Sequence, residues 1–257
     1  MASERKMGGL SGRLALVTGG GRGIGREIAR HLAAAGADIA LTYRRDREAA
    51  EEAAGEIRRL GRRAGLYEVD VERIEDLGPL VDRVIGELGP VGILINNAGV
   101  ASSGRPVADT DAAEVQRLLN VHAVAPFELA KRVLPGMRTL GRGDIVMISS
   151  VATMAMAAGG APYNMAKSAM EALALTLAKE ERRHGVRVNI VAPGLTVTDM
   201  GRRLVKARSG QDIAELNASK PFGRVSEPAD VAAAVSFLVS PENAYVSGQK
   251  INVDGGG

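Results

Sequence analysis

Leu14-Ala-Leu-Val-Thr-Gly-Gly-Gly-Arg-Gly-Ile-Gly25 is the stretch of sequence that decides the fold. The apolar run at its start is typical of a buried strand, and Ile28 and Leu32, beyond the glycines, recur at helical spacing. Strand, glycine turn and helix in this order suit a phosphate, because glycines let the backbone approach a pyrophosphate and the helix N-terminus offers free N–H groups. The stretch therefore predicts the first unit of a dinucleotide-binding fold, and the alternative is a tight turn without a ligand.

Strands and helices alternate through the rest of the chain. Six further strands are expected at residues 38–42, 65–69, 92–95, 144–149, 187–191 and 248–254. Such alternation is typical of parallel strands joined by right-handed helical crossovers. We therefore predict the α/β class, with one Rossmann-like domain over residues 10–257 and a doubly wound parallel sheet of about seven strands, with helices on both faces. Residues 1–9 are expected to form a flexible tail.

The composition argues against several classes of function. The 257 residues contain no Cys, which excludes disulfides and thiol catalysis, and the three His lack the spacing of a metal site. No apolar run is long enough for a membrane span, and residues 1–9 lack the apolar core of a signal peptide, so a cytoplasmic protein without a membrane partner is expected. The net charge of +3 comes from basic residues mixed with acidic ones, which favours a solvated surface over a nucleic-acid partner.

A Tyr and a Lys stand four residues apart in Tyr163-Asn-Met-Ala-Lys167, just after Pro162. Proline is common in the first turn of a helix, so the two side chains are expected to share one helical face. An ammonium near a phenol favours the phenolate and lowers the tyrosine pKa, which suits Tyr163 to general acid–base catalysis. The same spacing also fits a surface Tyr and Lys on an amphipathic helix.

Several motifs along the chain resemble, in the same order, those of the short-chain dehydrogenase/reductase family. They include Thr18 with the Gly-x-x-x-Gly-x-Gly spacing that follows it, Asn96-Asn-Ala-Gly99, and the Tyr163–Lys167 pair. The resemblance extends from about Leu10 to the C-terminus. It is strongest to the 3-oxoacyl-(acyl-carrier-protein) reductase type, through Val191-Ala-Pro-Gly194 and the sequence Thr-Asp-Met that begins at residue 198.

The resemblance implies a catalytic set of Asn120, Ser150, Tyr163 and Lys167. The catalytic serine of the family lies thirteen residues before its tyrosine, which selects Ser150 over Ser149. In the family the serine hydrogen-bonds the substrate carbonyl, and the tyrosine exchanges the proton. The lysine lowers the tyrosine pKa and holds the nicotinamide ribose. Asn120 is expected to interrupt a helix over residues 111–134 and, by the resemblance, to hold a water that links the lysine to solvent; a structural kink is the alternative.

The resemblance also implies which residues contact a nicotinamide dinucleotide. They are Gly19, Gly21, Arg22, Gly23, Ile24 and Gly25 in the glycine turn, Tyr43, Arg44 and Arg45 after the second strand, Asp70 and Val71 at the adenine, Asn97, Ala98 and Gly99 after the fourth strand, Tyr163 and Lys167, and Pro193, Gly194, Thr196 and Thr198 near the nicotinamide and pyrophosphate. For Asp70 a helix cap is the alternative role. Thr196 stands where many relatives have an apolar residue.

The end of the second strand indicates which dinucleotide is bound. Tyr43 stands where NAD enzymes often place an acid for the adenosine ribose, and Arg44 and Arg45 follow it. Together with Arg22 they could bind a 2′-phosphate through charge-assisted hydrogen bonds. NADP(H) is therefore expected in preference to NAD(H); the alternative is that these arginines only keep the surface soluble.

These features predict an NADP(H)-dependent oxidoreductase that transfers hydride between the nicotinamide and a ketone or secondary alcohol, without a metal. A 3-oxoacyl thioester is one substrate class. The alternatives are an NAD-linked dehydrogenase of a sugar, steroid or other secondary alcohol, and a dinucleotide sensor without catalysis.

Residues 151–161 are expected to form an apolar pocket wall, and residues 196–225 a mobile substrate lid. The expected partners are a small carbonyl or alcohol substrate and further copies of the chain in a homotetramer. An acyl carrier protein or CoA thioester is a further candidate, for which Arg138, Arg142, Arg182 and Arg183 could form a basic patch beside the pocket mouth; an ordinary solvated surface explains these arginines equally well.

Overall fold

Seven parallel strands form one sheet in the part of the chain that the computed structural model describes, residues 9–256. The strands are β1 (Leu14–Val17), β2 (Asp38–Tyr43), β3 (Ala64–Glu68), β4 (Val91–Asn96), β5 (Gly143–Ile148), β6 (Val186–Pro193) and β7 (Lys250–Val253). Their order across the sheet is β3-β2-β1-β4-β5-β6-β7, and every neighbouring pair is parallel. The predicted α/β class and doubly wound sheet are confirmed. The expected flexible tail, apart from Gly9, lies outside the described residues.

Helices cover both faces of this sheet. They are α1 (Gly23–Ala34), α2 (Arg47–Arg59), α3 (Leu77–Leu88), α4 (Ala112–Leu119), α5 (Ala125–Arg138), α6 (Ala152–Ala155), α7 (Ala161–Glu181), α8 (Asp199–Ser209) and α9 (Pro228–Val239). Successive strand residues point to opposite faces, so Leu14 and Leu16 join a core with α3, α5 and α7, whereas Ala15 and Val17 join a core with α1, α2 and α9. Within residues 9–256, no helix is long and apolar enough to cross a membrane.

The order in which successive strands are added to the sheet reverses at β1. After β1 the chain moves outwards through β2 and β3, and it then returns to place β4 on the other side of β1. The loops that leave the carboxyl ends of two such strands diverge, which opens the crevice where doubly wound proteins bind ligands. The glycine turn, residues 18–25, and Asn96-Asn-Ala-Gly99 are these two loops.

Side-chain hydrogen bonds hold the two loops together. The Thr18 hydroxyl oxygen accepts hydrogen bonds from the backbone N–H groups of Asn97 and Ala98, each at 2.9 Å. The Asn97 amide donates in return to the carbonyl oxygens of Thr18, at 2.9 Å, and Gly19, at 3.2 Å. From β2, the Thr42 hydroxyl accepts from the Gly19 N–H at 3.1 Å. The crevice therefore has fixed walls, which is what close approach of a ligand to the backbone requires.

The predicted interruption at Asn120 is present. Residues 120–124 form a π-helical turn between α4 and α5, in which the Asn120 carbonyl oxygen accepts from the N–H of Ala125, five residues on. The Asn120 side chain is held by Gln116, whose amide donates to its Oδ1 at 2.9 Å. Single π-turns inside α-helices are frequent at functional sites, because they displace backbone groups and side chains from the regular ladder.

The segment predicted to be a mobile substrate lid, residues 196–225, is largely helical. It contains α8 and a 3-10 segment at Ile213–Ser219. The Thr198 hydroxyl caps α8 by accepting from the N–H of Gly201 at 3.1 Å, and Gly210 ends the helix in the left-handed conformation with φ of 73°. The basic residues Arg202, Arg203, Lys206 and Arg208 form the exposed face of this helix, and Gly201 lies on its buried face.

Candidate active site

Three elements bring the four candidate catalytic residues together. Ser150 follows the carboxyl end of β5, Asn120 lies in the π-turn, and Tyr163 and Lys167 lie on α7. Helix α7 packs against the π-turn and against β5 and β6. The group lies at the same edge of the sheet as the glycine turn, where a dinucleotide in the crevice would end. The four residues selected by motif spacing and by the family resemblance therefore lie on adjoining elements.

Lys167 is the most deeply buried of the four, with 3% of the residue exposed. Its ammonium donates a hydrogen bond of 2.7 Å to the carbonyl oxygen of Ile148, the last residue of β5. Burial lowers the pKa of Lys167 to about 7, because the charged form loses its hydration, and the negative charge of Glu171 acts in the opposite direction. The charged and neutral forms of Lys167 are therefore close in free energy near neutral pH.

Tyr163 differs from the expectation in one respect. Burial raises the pKa of its phenol, and a hydrogen bond with Ser150 opposes that rise only in part. The net shift is therefore upward, whereas the sequence predicted that Lys167 would lower the Tyr163 pKa; in the protein without cofactor, burial dominates. The geometry gives the reason, since the Lys167 ammonium is directed at Ile148 and lies 5.7 Å from the centre of the phenol ring.

His122, which the sequence did not indicate as a site residue, packs against Tyr163. The two rings meet edge to face with centres 5.4 Å apart and an angle of 80°. The imidazole Nε2 lies 2.9 Å from the carbonyl oxygen of Val100, and a Cβ added at Gly99 would stand 2.7 Å from its Cε1. Burial and the charge of Lys167 lower the pKa of His122 to about 3, so the ring is neutral and supports Tyr163 as a rigid aromatic surface.

The glycine turn is built for close approach. A Cβ added at Gly25 would lie 2.3 Å from the carbonyl oxygen of Gly19 and 2.5 Å from the side-chain nitrogen of Asn97. Gly19 and Gly23 have φ of 64° and 54°, the region that favours glycine. Arg22, at the N-cap of α1, makes no capping bond, and no acidic residue lies in the first helical turn. The free N–H groups and the absent Cβ atoms fit a pyrophosphate.

The arginines predicted to bind a 2′-phosphate lie around the ends of β1 and β2. Arg44 approaches Asp70 at 3.6 Å, and Arg22 approaches Asp199, at the start of α8, at 3.4 Å. Both pairs are substantially exposed to solvent, and such pairs stabilise the fold weakly, so the arginines can exchange partners at little cost. Arg45, the residue after Arg44, is exposed.

The remaining predicted contacts have local roles as well. Asp70 accepts from the N–H of Glu72 at 3.1 Å, which closes a turn just after β3. Thr196 is buried and donates to the carbonyl oxygen of Gly194 at 3.1 Å. The other predicted contacts lie at the carboxyl edge of the sheet, in its loops, at its strand ends or at the start of α1. They are Gly21, Ile24, Tyr43, Val71, Ala98, Pro193 and Thr198.

A cavity of about 490 Å³ lies beside α7 and is lined mainly by apolar groups. Its lining consists of Val107, Met156, Ala157, Ala158, Gly159, Ala161, Asn164, Met165 and Ser168. Residues 156–161 thus contribute much of one side, as expected of the wall predicted for residues 151–161. The cavity is open to solvent, so it can take an elongated group.

The four arginines suggested for a carrier protein do not lie beside this cavity. Arg138 ends α5 and Arg142 precedes β5, while Arg182 and Arg183 follow α7 and precede β6. All four therefore lie at the amino edge of the sheet, opposite Ser150. Two are also engaged internally, since Arg138 binds buried Glu181 at 2.6 Å and Arg142 binds buried Asp144 at 3.0 Å. This part of the sequence interpretation is wrong.

The fold and the site together define a dinucleotide-binding oxidoreductase, and comparisons with known proteins identify its family. Over residues 19–257 the chain matches a family model described as enoyl-(acyl carrier protein) reductase. It is 36% identical over 249 residues to the 3-oxoacyl-(acyl-carrier-protein) reductase FabG of Vibrio harveyi, with 96% of this chain and 98% of the relative covered.

Two solved structures share the fold closely but hold different cofactors. A blue fluorescent protein from a metagenomic library in complex with NADPH has a TM-score of 0.88 and 35% identity, covering 96% of this chain and 98% of that one. Carveol dehydrogenase from Mycobacterium avium in complex with NAD also has a TM-score of 0.88, with 28% identity and the same coverage. The chain belongs to the short-chain dehydrogenase/reductase family, oxidoreductases that act on alcohols and ketones with a nicotinamide dinucleotide.

Proposed function

We propose that the protein is an NADP(H)-dependent ketoreductase in which Tyr163 is the general acid. The observation that carries the proposal is the juxtaposition of Tyr163, Lys167 and Ser150 at the sheet edge where the glycine turn opens. When bound, NADPH supplies a hydride to the substrate carbonyl carbon. This chain's residues then have to place the carbonyl, stabilise its oxygen and deliver one proton to it.

Ser150 and Tyr163 act on the same oxygen in this proposal. The Ser150 hydroxyl donates a hydrogen bond that orients the carbonyl, and the Tyr163 phenol donates its proton to the developing alkoxide, so that the alcohol forms and a phenolate remains. The raised pKa of Tyr163 suits an acid, because the phenol stays protonated at neutral pH until the substrate oxygen gains charge. Lys167 in its charged form stabilises the phenolate, and Asn120, in the π-turn that packs against α7, is proposed to hold the water that returns the proton.

The preference for NADP(H) rests on charge. Arg22 lies in the glycine turn after β1, Arg44 and Arg45 follow β2, and Tyr43 takes the place of the acid that would repel a 2′-phosphate. Two of these arginines pair with exposed carboxylates that a phosphate could displace. Relatives of known structure hold NADPH in one case and NAD in another, so the arginines are the basis for the choice.

For the substrate we propose a 3-oxoacyl thioester. The identity to the Vibrio harveyi reductase supports this class, and the apolar cavity along α7 supports an aliphatic chain next to the reacting carbonyl. Residues 196–225 are proposed as the lid over the substrate, and the protein as a homotetramer, which sedimentation of the purified chain tests directly. An acyl carrier protein would have to bind at the carboxyl edge of the sheet, near the cavity.

Turnover measured at 340 nm tests the reaction and the cofactor together. We expect oxidation of NADPH with the N-acetylcysteamine thioester of acetoacetate, and a much lower kcat/KM with NADH. A panel of cyclic ketones, ketosteroids and keto-sugars is the comparison. NADH used as well as NADPH would overturn the cofactor assignment, and turnover confined to a sugar or steroid would overturn the substrate class while leaving the reaction intact.

A further inference from the structure

A second polar cluster lies beside the catalytic residues, and the proposed mechanism does not use it. Glu171 on α7 is its centre, and we call it the Glu171 cluster. The carboxylate accepts hydrogen bonds of 2.5 Å from the Ser149 hydroxyl and 2.8 Å from the Thr153 hydroxyl. The Lys250 ammonium, at the start of β7, lies 2.9 Å from Glu171 Oε1 and 2.5 Å from Thr153 Oγ1. Three parts of the chain thus converge on one carboxylate.

The cluster is joined to Lys167 at two points. Glu171 follows Lys167 by four residues on α7, so the two side chains lie on the same face, one helical turn apart. Two consecutive residues at the end of β5 bind these two side chains. The Ile148 carbonyl oxygen accepts a hydrogen bond from Lys167, and the Ser149 hydroxyl donates one to Glu171. Lys167 and Glu171 are thus anchored to adjacent residues at the end of β5.

Lys167 needs a counter-charge in order to work. An ammonium that is 3% exposed has lost nearly all of its hydration, and its hydrogen bond to a neutral carbonyl does not replace it. Its other titratable neighbours are Tyr163 on α7 and His122 in the π-turn, and neither carries a negative charge in the resting protein. Among the described residues, Glu171 is the carboxylate one helical turn from Lys167 on α7, and its negative charge opposes the fall of the Lys167 pKa.

We propose that Glu171 is a positioning residue that keeps Lys167 charged, and that Lys250 weakens this effect from the C-terminal strand. Glu171 touches neither substrate nor cofactor in this proposal and acts only through Lys167. Lys250 shares the carboxylate, so its positive charge opposes the field of Glu171 at Lys167. The importance of this arrangement for catalysis rests on the proposed function, but the electrostatic effect itself does not.

Removing the charge of Glu171 and removing the charge of Lys250 should shift the Lys167 pKa in opposite directions. This distinguishes an electrostatic role of the cluster from a purely structural one. In Glu171→Gln the negative charge disappears and Lys250 remains, so the Lys167 pKa falls. In Lys250→Met the opposing positive charge disappears and Glu171 remains held by Ser149 and Thr153, so the Lys167 pKa rises. Each shift should be about one pH unit, in line with the effect of a single nearby charge. A structural role for the cluster would loosen the site in the same way in both variants.

The Lys167 pKa can be measured in the protein without cofactor or substrate. The chain contains only seven lysines, so labelling with ¹³Cε-lysine gives a simple NMR spectrum, in which the signal missing from Lys167→Met identifies Lys167. Titration of this signal is compared in the wild type, Glu171→Gln, Lys250→Met and Ser149→Ala. The Ser149 variant is the matched control, because it removes a hydrogen bond from the cluster without changing its charge.

We expect a wild-type midpoint near 7, a lower one in Glu171→Gln, a higher one in Lys250→Met and a smaller change in Ser149→Ala. Equal shifts in one direction for the two charge variants, or no shift in either, would overturn the proposal. If Glu171→Gln does not fold, the upward shift in Lys250→Met alone decides. Because the titration needs no turnover, it can fail while Tyr163-dependent reduction holds, and it can succeed even if the proposed reaction is wrong.

Where turnover is found, the pH profile gives a second readout. The alkaline limb of kcat for ketone reduction should follow the loss of charge on Lys167. We expect it at lower pH in Glu171→Gln and at higher pH in Lys250→Met. Displacement in the reverse order would contradict the proposed action of the cluster on catalysis.

Discussion

The Lys167 ammonium lies 5.7 Å from the centre of the Tyr163 ring and donates its hydrogen bond to Ile148. The two residues are therefore coupled through space and not by a direct bond between phenol and ammonium. Burial acts on both, raising the pKa of Tyr163 and lowering that of Lys167. The resting site thus favours a neutral phenol beside a lysine close to its midpoint, which is a suitable starting state for an acid catalyst at neutral pH.

Acid stability should depend on His122. Its pKa is about 3 in the folded protein, against 6.5 for an ordinary His, so below pH 6.5 the unfolded chain takes up a proton that the folded one does not. The free energy of unfolding should then fall as the pH drops from 6.5 towards 3, by up to about 1.4 kcal/mol per pH unit from this group. Urea denaturation of the wild type and His122→Asn between pH 7 and 4 measures this.

The matched control for His122 is His184→Asn, which changes a partly exposed His in the 3-10 turn after α7. We expect the pH slope to flatten in His122→Asn and to stay as in the wild type in His184→Asn. Equal slopes in all three proteins would show that His122 is not a buried neutral group.

The arginines proposed to bind the 2′-phosphate make a second prediction. Removing Arg44 and Arg45 together should weaken NADPH binding by about 10- to 100-fold, as expected for the loss of one or two charge-assisted hydrogen bonds, and should leave NADH binding nearly unchanged. Fluorescence titration with both cofactors measures this. Arg47→Ala, which removes a cation that pairs with Glu51 in the next turn of the chain, is the control. A similar loss for NADH, or for Arg47→Ala, would contradict a specific phosphate site.

Two glycines with opposite surroundings give a third prediction. Gly25→Ala places a Cβ 2.3 Å from the Gly19 carbonyl oxygen, so we expect a loss of about 1–3 kcal/mol in unfolding free energy and weaker cofactor binding. Gly55 lies inside α2 with nothing within 4 Å of its added Cβ, and Gly55→Ala should stabilise by about 0.5–1 kcal/mol. Thermal unfolding and NADPH titration of both variants provide the measurement. Unchanged unfolding free energy and NADPH affinity in Gly25→Ala would show that the glycine turn accommodates a Cβ at this position.

Much of the fold could be predicted from local pattern. Leu14–Val17 is apolar throughout because its strand is buried on both faces, and the glycine turn is specific because backbone must come close to backbone there. The same holds for Asn120, whose poor fit to a helix correctly indicated an irregular turn. Periodicity and propensity act over a few residues, and these features depend on little else.

The features that could not be predicted depend on distant parts of the chain. Lys250 and Glu171 are 79 residues apart, and only the placement of β7 beside β6 brings them together. The direction of the Tyr163 pKa shift follows from burial, which no local spacing reveals. The helical character of residues 199–209 was missed because its apolar face is narrow and its charged face suggested a loop. The four arginines suggested for a carrier protein lie away from the cavity, because charge along the sequence does not show which edge of the sheet a residue occupies.

The most direct test of the account is single-turnover reduction by Tyr163→Phe with NADPH bound. Phe keeps the ring against His122 and removes only the acidic hydroxyl, so NADPH affinity should change little while the rate of ketone reduction falls by about 10²- to 10⁴-fold. Tyr245→Phe is the control, because Tyr245 is 99% exposed and should leave both quantities unchanged. Turnover near the wild-type rate in Tyr163→Phe would contradict the assignment of the acid and, with it, the proposed mechanism.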